Sequence, residues 1–219
     1  MTFKACIFDL DGTLLDTLAD IAASVNEALF AHGYPTHDVA RFRTYVGDGV
    51  EACIQRVLPK EAMTPALVSR LVTRMREIYV LRAERETAPY AGITDLLNQL
   101  KSRNMPMAVL SNKPHPMLVE AVQRFFPQIP FVGTLGVNAE VPPKPSLVGA
   151  RMLLEQLGVS CGEICYVGDT DTDMKTAVSA GFYAVGVSWG FRSVTELRAH
   201  GANLIVDHPS EILDLIQPG

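Results

Sequence analysis

The sequence has no apolar run that approaches the ~18 residues of a membrane-spanning helix. Its first residues show none of the charged, apolar and small-residue succession of a secretory leader. Both absences point to a protein that acts in the cytoplasm, without a membrane. Basic blocks are missing as well: 19 Lys and Arg are dispersed among 24 Asp and Glu, for a formal net charge of -5. That balance argues against nucleic acid or an anionic membrane surface as the partner. Cysteine is sparse. Cys6, Cys53, Cys161 and Cys165 form no CxxC pair, and none has a histidine at zinc-finger spacing. Cys6 and Cys165 stand in apolar runs and read as core thiols. There is no internal repeat and no low-complexity tract. What remains is a globular composition, 48% hydrophobic and 20% charged over 219 residues. That length suits one large domain, or one domain carrying an insert, with ample core.

The pattern of the chain divides it. Residues Ala5 to Phe8 are a short apolar run that stops at Asp9, the form of a buried strand. From Thr17 to about Glu86 every signal is helical. Thr17-x-x-Asp20 has the form of a capping box, and Ile21, Val25 and Leu29 recur at helical spacing up to Gly33. Short helices are predicted over 39–45 and 50–58, broken by Val46-Gly47-Asp48-Gly49. A longer helix starts at Thr64-Pro65, shows the apolar face Leu67, Leu71, Met75 and Ile78, and runs on to about Glu86. The arginines of that helix read as a solvated face. The next strand candidate begins only at Pro106, far beyond the ~30 residues of a whole βαβ unit. The excess is an inserted helical subdomain, with Ala88-Pro89-Tyr90-Ala91-Gly92 as its return linker. After it the chain alternates. Strands are predicted at 106–110, near Phe131, at 163–167, 182–187 and 204–206, with helices between them and a last helix over 210–216. Alternation of this kind means a parallel sheet with helices on both faces.

Four features fall at strand ends or just beyond them: Asp9 with Asp11, Ser111, Lys144, and Asp169 with Asp173. The carboxyl ends of parallel strands lie on one edge, where open α/β sheets place their ligands. Each feature alone has an ordinary reading as a solvated turn, a helix cap or a surface lysine. Together they form a chemically complete set for phosphoryl transfer. Carboxylates hold a hard cation such as Mg²⁺, one carboxylate can act as nucleophile, and a second can move a proton. A lysine and a hydroxyl can hold the phosphoryl oxygens.

With those residues the chain resembles the haloacid dehalogenase superfamily of phosphohydrolases, over essentially its whole length. The motifs that carry the resemblance are Asp9-Leu10-Asp11-Gly12-Thr13, Ser111, Lys144 and Gly168-Asp169-x-x-x-Asp173. The resemblance implies a Rossmann-like core over 1–16 and 87–219 and a helical cap over 17–86. It implies Asp9 as nucleophile, Asp11 as acid/base, and Ser111, Asn112 and Lys144 as phosphate-binding residues. It further implies Mg²⁺ held at Asp9, the Asp11 carbonyl and Asp169, with Asp173 supporting. The dehalogenating branch lacks the second Asp of the first motif, so Asp11 favours phosphoester chemistry. Within the superfamily the chain is similar to the phosphoglycolate phosphatase branch. The stretches that carry this are Tyr45 to Val50, Ser111-Asn112-Lys113-Pro114, Val187 to Phe191 and Gly201 to Asp207.

The implied substrate is a small phosphomonoester, with 2-phosphoglycolate foremost. Phosphosugar mutases and pyrophosphatases share the same core residues and are the alternatives. A phospho-accepting signalling module also combines acidic residues, a hydroxyl and a lysine, but it carries no helical insert. Discrimination among leaving groups is expected from the cap. There Gly47 and Gly49 can turn backbone N–H groups toward an anion, and Arg41 and Arg43 can pair with a carboxylate. The same four residues also fit a plain turn flanked by solvated arginines. Nothing in the sequence favours a monomer over a dimer.

Overall fold

In the computed structural model, which describes residues 3–82 and 85–216, the apolar run before Asp9 is strand β1 (Ala5–Phe8), buried throughout. A two-residue strand, β2 (Leu15–Asp16), leads into four helices: α1 (Leu18–Ala31), α2 (Phe42–Tyr45), α3 (Val50–Val57) and α4 (Pro65–Arg82). Strand β3 (Ala88–Pro89) brings the chain back and pairs with β2. There follow α5 (Ile93–Ser102), β4 (Met107–Pro114), α6 (His115–Phe125), β5 (Phe131–Val137), α7 (Leu147–Leu157) and β6 (Ile164–Gly168). The last elements are α8 (Asp171–Ala180), β7 (Tyr183–Val187), α9 (Val194–Ala199), β8 (Leu204–Val206) and a 3-10 stretch over Pro209–Leu215. No described helix is long and apolar enough to cross a membrane.

Six strands form one parallel sheet in the order β5-β4-β1-β6-β7-β8. The expected α/β architecture, a parallel sheet with helices on both faces and a helical insert, is the one found. Side chains alternate across β1. Cys6 and Phe8 join one core with Leu96, Leu97 and Leu100 of α5 and Leu118 and Ala121 of α6. Ala5 and Ile7 join the other, with Ala150 and Leu153 of α7 and Met174 and Ala177 of α8. A strand buried on both faces has to be apolar at every position, which is why β1 reads as an unbroken run. Cys6 pairs in register with Cys165; both thiols are free and buried.

The chain leaves β1 for β4 and β5 on one side, then crosses to β6, β7 and β8 on the other. The strand order reverses between β1 and β6, so the residues just beyond their carboxyl ends face a topological switch point. Asp9 and Asp169 are those residues.

The chain divides into two compact units, residues 1–15 with 89–219, and residues 16–88. In the second unit, α1 packs along α4 and α3 also packs against α4. The segment after α1 is pinned by Asn26, whose amide Nδ2 donates to the His37 carbonyl at 2.8 Å and whose Oδ1 accepts from His37 N–H at 2.9 Å. The rings of His37, Phe42 and Tyr45 then meet edge to face.

Local departures from expectation have physical causes. Thr17 caps α1 by position only, with no side-chain cap bond. Asp20, its presumed partner, instead turns its Oδ2 to the returning chain, accepting from Glu86 N–H (3.0 Å), Thr87 N–H (2.8 Å) and Thr87 Oγ1 (2.8 Å). Strand β4 does not stop before Ser111. It runs on through Pro114 with a register shift against β5 between Leu110 and Pro114, so the polar residues 111–113 belong to a strand. The last helix winds as 3-10. The helix expected to reach about Glu86 is seen to Arg82, and residues 83 and 84 lie outside the described residues.

Candidate active site

Beyond β1, Asp9 is fixed by its own N–H, which donates to the Val167 carbonyl at 2.9 Å. Register between β1 and β6 pairs Phe8 with Val167 and thus sets Asp9 beside the β6 terminus. Ligand oxygens of Asp9, Asp169 and Asp173 all lie within 4.8 Å of one another, and all three residues are buried.

The two later carboxylates are held differently. Asp169 Oδ1 accepts from Thr13 Oγ1 at 2.9 Å and its Oδ2 from Phe191 N–H at 2.8 Å. Asp173 is engaged at both oxygens. Its Oδ1 accepts from Lys144 Nζ at 2.6 Å and Tyr166 Oη at 3.1 Å, and its Oδ2 from Thr170 N–H and Oγ1 at 3.0 and 2.7 Å. Thr170 and Asp173 thereby make the capping box of α8. Glycine is demanded around Asp169. A Cβ on Gly190 would stand 2.2 Å from Asp169 Cβ, and one on Gly12, which has φ +93°, would stand 2.3 Å from Asp169 Oδ2.

Lys144 reaches the cluster from the proline-rich loop before α7. Its ammonium also donates to the Leu110 carbonyl at 3.0 Å, and lies 2.9 Å from Asp9 Oδ1. That Asp9 oxygen has no directed hydrogen bond among the described residues. Asn112 grips the backbone of the same lysine: its Oδ1 accepts from Lys144 N–H at 2.7 Å and its Nδ2 donates to the Lys144 carbonyl at 3.3 Å. Ser111 is buried beside them, its Oγ accepting from Lys113 N–H at 3.3 Å. Asp11 pairs with Lys113, whose Nζ stands 3.0 Å from Oδ1 and 3.4 Å from Oδ2.

Burial pushes the Asp9 carboxyl up to about 7, with Asp173 and Asp11 pushing the same way against the pull of Lys144. Burial, then Asp173 and Asp9, hold Asp169 well above the ordinary carboxylate range. Burial alone would lower Lys144, but Asp173 and Asp9 outweigh it and hold the ammonium well above its usual value. Four carboxylates thus face two ammoniums, Lys113 and Lys144. Among the described residues two carboxyl groups are thus in excess of the ammoniums, and they present hard oxygens in a buried place. That donor set fits a hard dication.

The core residues expected from the sequence, Asp9, Asp11, Ser111, Asn112, Lys144, Asp169 and Asp173, stand together at one edge of the sheet. Arg41, Arg43, Gly47 and Gly49 belong to the second unit. Arg41 and Arg43 are exposed there, and Gly47 and Gly49 take φ of +121° and +90° in the turn before α3. Asp48, between the two glycines, is ion-paired with Arg56. Three participants had no role in the sequence reading: Lys113, Thr13 and Tyr166. Tyr166 had a signal, a lone hydroxyl inside the apolar run of β6. Lys113 stands in the stretch Ser111-Asn112-Lys113-Pro114, but its pairing with Asp11, 102 positions earlier, leaves no mark in a local pattern.

Comparison with known proteins decides the family. Residues 6–187 match the family model of the haloacid dehalogenase-like hydrolases. The chain belongs to the haloacid dehalogenase-like hydrolases. Among this family's phosphoglycolate phosphatases, that of Vibrio parahaemolyticus is 30% identical over 97% of this chain and 96% of its own. That of Chromobacterium violaceum is 30% identical over 99% and 97%. A crystal structure from Lactobacillus delbrueckii subsp. bulgaricus, provisionally assigned as a phosphoglycolate phosphatase, superposes with a TM-score of 0.93. It is 30% identical and covers 100% of both chains. A haloacid dehalogenase-like hydrolase of Streptococcus pneumoniae gives a TM-score of 0.88 at 25% identity, over 98% and 99%. As a member of this family the chain is an enzyme, a phosphatase-like hydrolase whose substrate class is a small phosphoester.

Proposed function

We propose that the enzyme hydrolyses a small phosphomonoester, 2-phosphoglycolate foremost, through an aspartyl-phosphate on Asp9. The observation that carries this reading is Asp9 itself. It is a buried carboxylate at the switch point, with an oxygen that lacks a directed hydrogen bond and a lysine ammonium at 2.9 Å. The curated relatives that match over nearly the full length, named as phosphoglycolate phosphatases, support the substrate.

On this reading Asp9 and Asp169, with the Asp11 carbonyl, would hold Mg²⁺, and Asp173 would support them. When bound, the cation offsets the repulsion between the Asp9 carboxylate and the substrate phosphoryl and polarises the phosphoryl oxygens. An Asp9 oxygen attacks phosphorus as the bond to the leaving oxygen breaks. Asp11 enters this step in its acid form, carrying the proton taken from water in the preceding turnover, and gives it to that oxygen, so the alcohol departs neutral. Lys144 and Ser111 hold the equatorial oxygens, where charge spreads in the transition state. Asn112 acts through Lys144, by fixing the backbone that carries the ammonium. Asp11, now ionised, takes a proton from water as the water oxygen attacks phosphorus. The acyl-phosphate bond then breaks, inorganic phosphate leaves, and Asp9 is restored.

The test is acid-quench trapping of labelled enzyme with ³²P-phosphoester and Mg²⁺. Wild type should carry an acid-stable, hydroxylamine-labile phosphoryl group. Asp9→Asn, which keeps the shape but is a poor nucleophile, should carry none and lose turnover. Label and turnover persisting in Asp9→Asn would overturn the assignment.

A further inference from the structure

We propose that Lys113 determines specificity by reading an acidic substituent on the leaving group, a carboxylate close to the ester oxygen. This deepens the phosphatase reading and rests on Asp11 serving the leaving oxygen. Two lysines enter the site, and they are placed differently. Lys144 stands between Asp9 and Asp173, on the side of the attacking group. Lys113 stands against Asp11, on the side of the departing one, with its ammonium within 3.4 Å of both carboxylate oxygens. The Lys113 side chain is only 5% exposed and that of Asp11 15%.

The backbone that carries Lys113 is fixed. Its N–H donates to Ser111 Oγ, and the next residue, Pro114, pairs in register with Val137 of β5. Its carbonyl packs so closely on β5 that a Cβ on Gly136 would come within 2.6 Å of it. Any rearrangement must therefore come from the two side-chain tips. For Asp11 to reach a leaving oxygen it must release Lys113 from at least one of its oxygens. An uncharged leaving group would then leave a nearly buried ammonium with a partner lost, an outcome that disfavours the exchange. A leaving group with its own carboxylate supplies the replacement. In a 2-phosphoglycolate-like ester the carboxylate is bonded directly to the carbon that bears the ester oxygen. One small group can thus meet Asp11 at its oxygen and Lys113 at its anion, residues whose tips are 3.0 Å apart. The selection is built into the same unit as the reacting groups, and it favours anionic over neutral leaving groups of the same size.

The experiment compares 2-phosphoglycolate with ethyl phosphate, which has the same two carbons and no carboxylate, in wild type, K113M and K113R. Wild type should prefer 2-phosphoglycolate. In K113M the ratio of the two kcat/KM values should fall by about 10- to 100-fold, the worth of one charge-assisted contact. K113R keeps the cation and should retain part of the ratio. An equal loss on both esters would overturn the carboxylate contact and leave the phosphatase reading standing. Thermal unfolding of each variant checks folding, and K113Q replaces K113M if the latter does not fold.

Titration calorimetry with 3-phosphonopropionate and propylphosphonate, which cannot be hydrolysed, gives a readout without turnover. Wild type should bind the first more tightly, and the Lys113 variants should narrow that gap; an unchanged gap overturns the proposal. If wild type hydrolyses neither ester, the proposed function fails first, and the calorimetric pair still decides the role of Lys113.

Discussion

On the proposed reading Lys144 is the residue on which both the chemistry and the stability of the site turn. It is the partner of two buried carboxylates, at 2.6 Å from Asp173 and 2.9 Å from Asp9. Removing a preorganised charge of this kind costs about 10²- to 10³-fold in kcat. Removing one partner from a buried ion pair costs about 3–5 kcal/mol of stability, because the other charge is left uncompensated. We therefore expect Lys144→Ala to lose both, seen as a lower kcat and a lower Tm, with no recovery in excess Mg²⁺. Asp169→Ala should behave differently. Its loss falls on metal affinity, so turnover should recover in part as Mg²⁺ is raised. A full Mg²⁺ titration of kcat in both variants separates them, and equal recovery would mean that the metal and phosphate roles are exchanged. The sequence treats Asp169 and Asp173 alike, as two acids past one strand. Their difference lies in who donates to them: Tyr166, Thr170 and Lys144 occupy Asp173. Of these Thr170 alone pairs with Asp173 within a local capping pattern, and Tyr166 shows only as a lone hydroxyl in an apolar strand.

Among the elements, the tie between α1 and the segment that returns from α4 depends on one carboxylate. Asp20 is fully buried and accepts three hydrogen bonds on Oδ2 from Glu86 and Thr87. Arg82 stands near its other oxygen, at 3.6 Å. Burial would raise the Asp20 pKa, but the hydrogen bonds from Thr87 and Glu86, with Arg82, outweigh it and hold the carboxyl below its ordinary value. A lowered folded value means stability that is present above the unfolded pKa and lost as pH falls through the folded one. Asp20→Ala should thus cost about 2–4 kcal/mol near neutral pH, the penalty for buried donors left without an acceptor. Asp20→Asn, which keeps an acceptor oxygen, should cost less. The difference between wild type and Asp20→Ala should shrink in acid, and thermal melts between pH 7 and 3 would show whether it does. A gap independent of pH would assign the loss to packing instead. What was legible at this scale was whatever a period or a run can carry. The unbroken apolar β1 and β6 and the alternation of elements after β3 follow from burial on both faces of a parallel sheet. Thr17 and Asp20 have the spacing of a capping box, yet no local pattern shows that the Asp20 acceptor serves donors 66 and 67 residues away. Strand β4 was cut short because Ser111, Asn112 and Lys113 are polar, and the register shift that lets them stay in the sheet leaves no mark in the sequence.

For the molecule as a whole, the two carboxyl groups in excess of the ammoniums among the described residues couple protons, folding and, on the proposed reading, metal. With no metal bound, the burial of Asp9 among Asp173 and Asp11 lifts its carboxyl to about 7. A raised folded value means that the proton itself stabilises the fold. That contribution is complete below the ordinary carboxylate pKa and is lost as pH rises through about 7, so the metal-free protein should lose Tm between pH 5 and 8. On the proposed reading Mg²⁺ takes the place of that proton. Its binding should release protons near pH 6, and its affinity should rise with pH over the same window. Ligand held only by the folded state stabilises by about 2.7 kcal/mol at one hundred times its Kd. For a chain of this size that is about 5–10 °C in Tm. Calorimetry in two buffers of different ionisation enthalpy measures the protons released, and melts with and without Mg²⁺ at pH 5.5 and 8 measure the shift. The shift should be larger at pH 8 and, at a Mg²⁺ concentration that saturates wild type, much smaller in Asp169→Ala. A Tm increment that is the same at both pH values, with no proton release, would show that the cation binds elsewhere than at the Asp9 and Asp169 carboxylates.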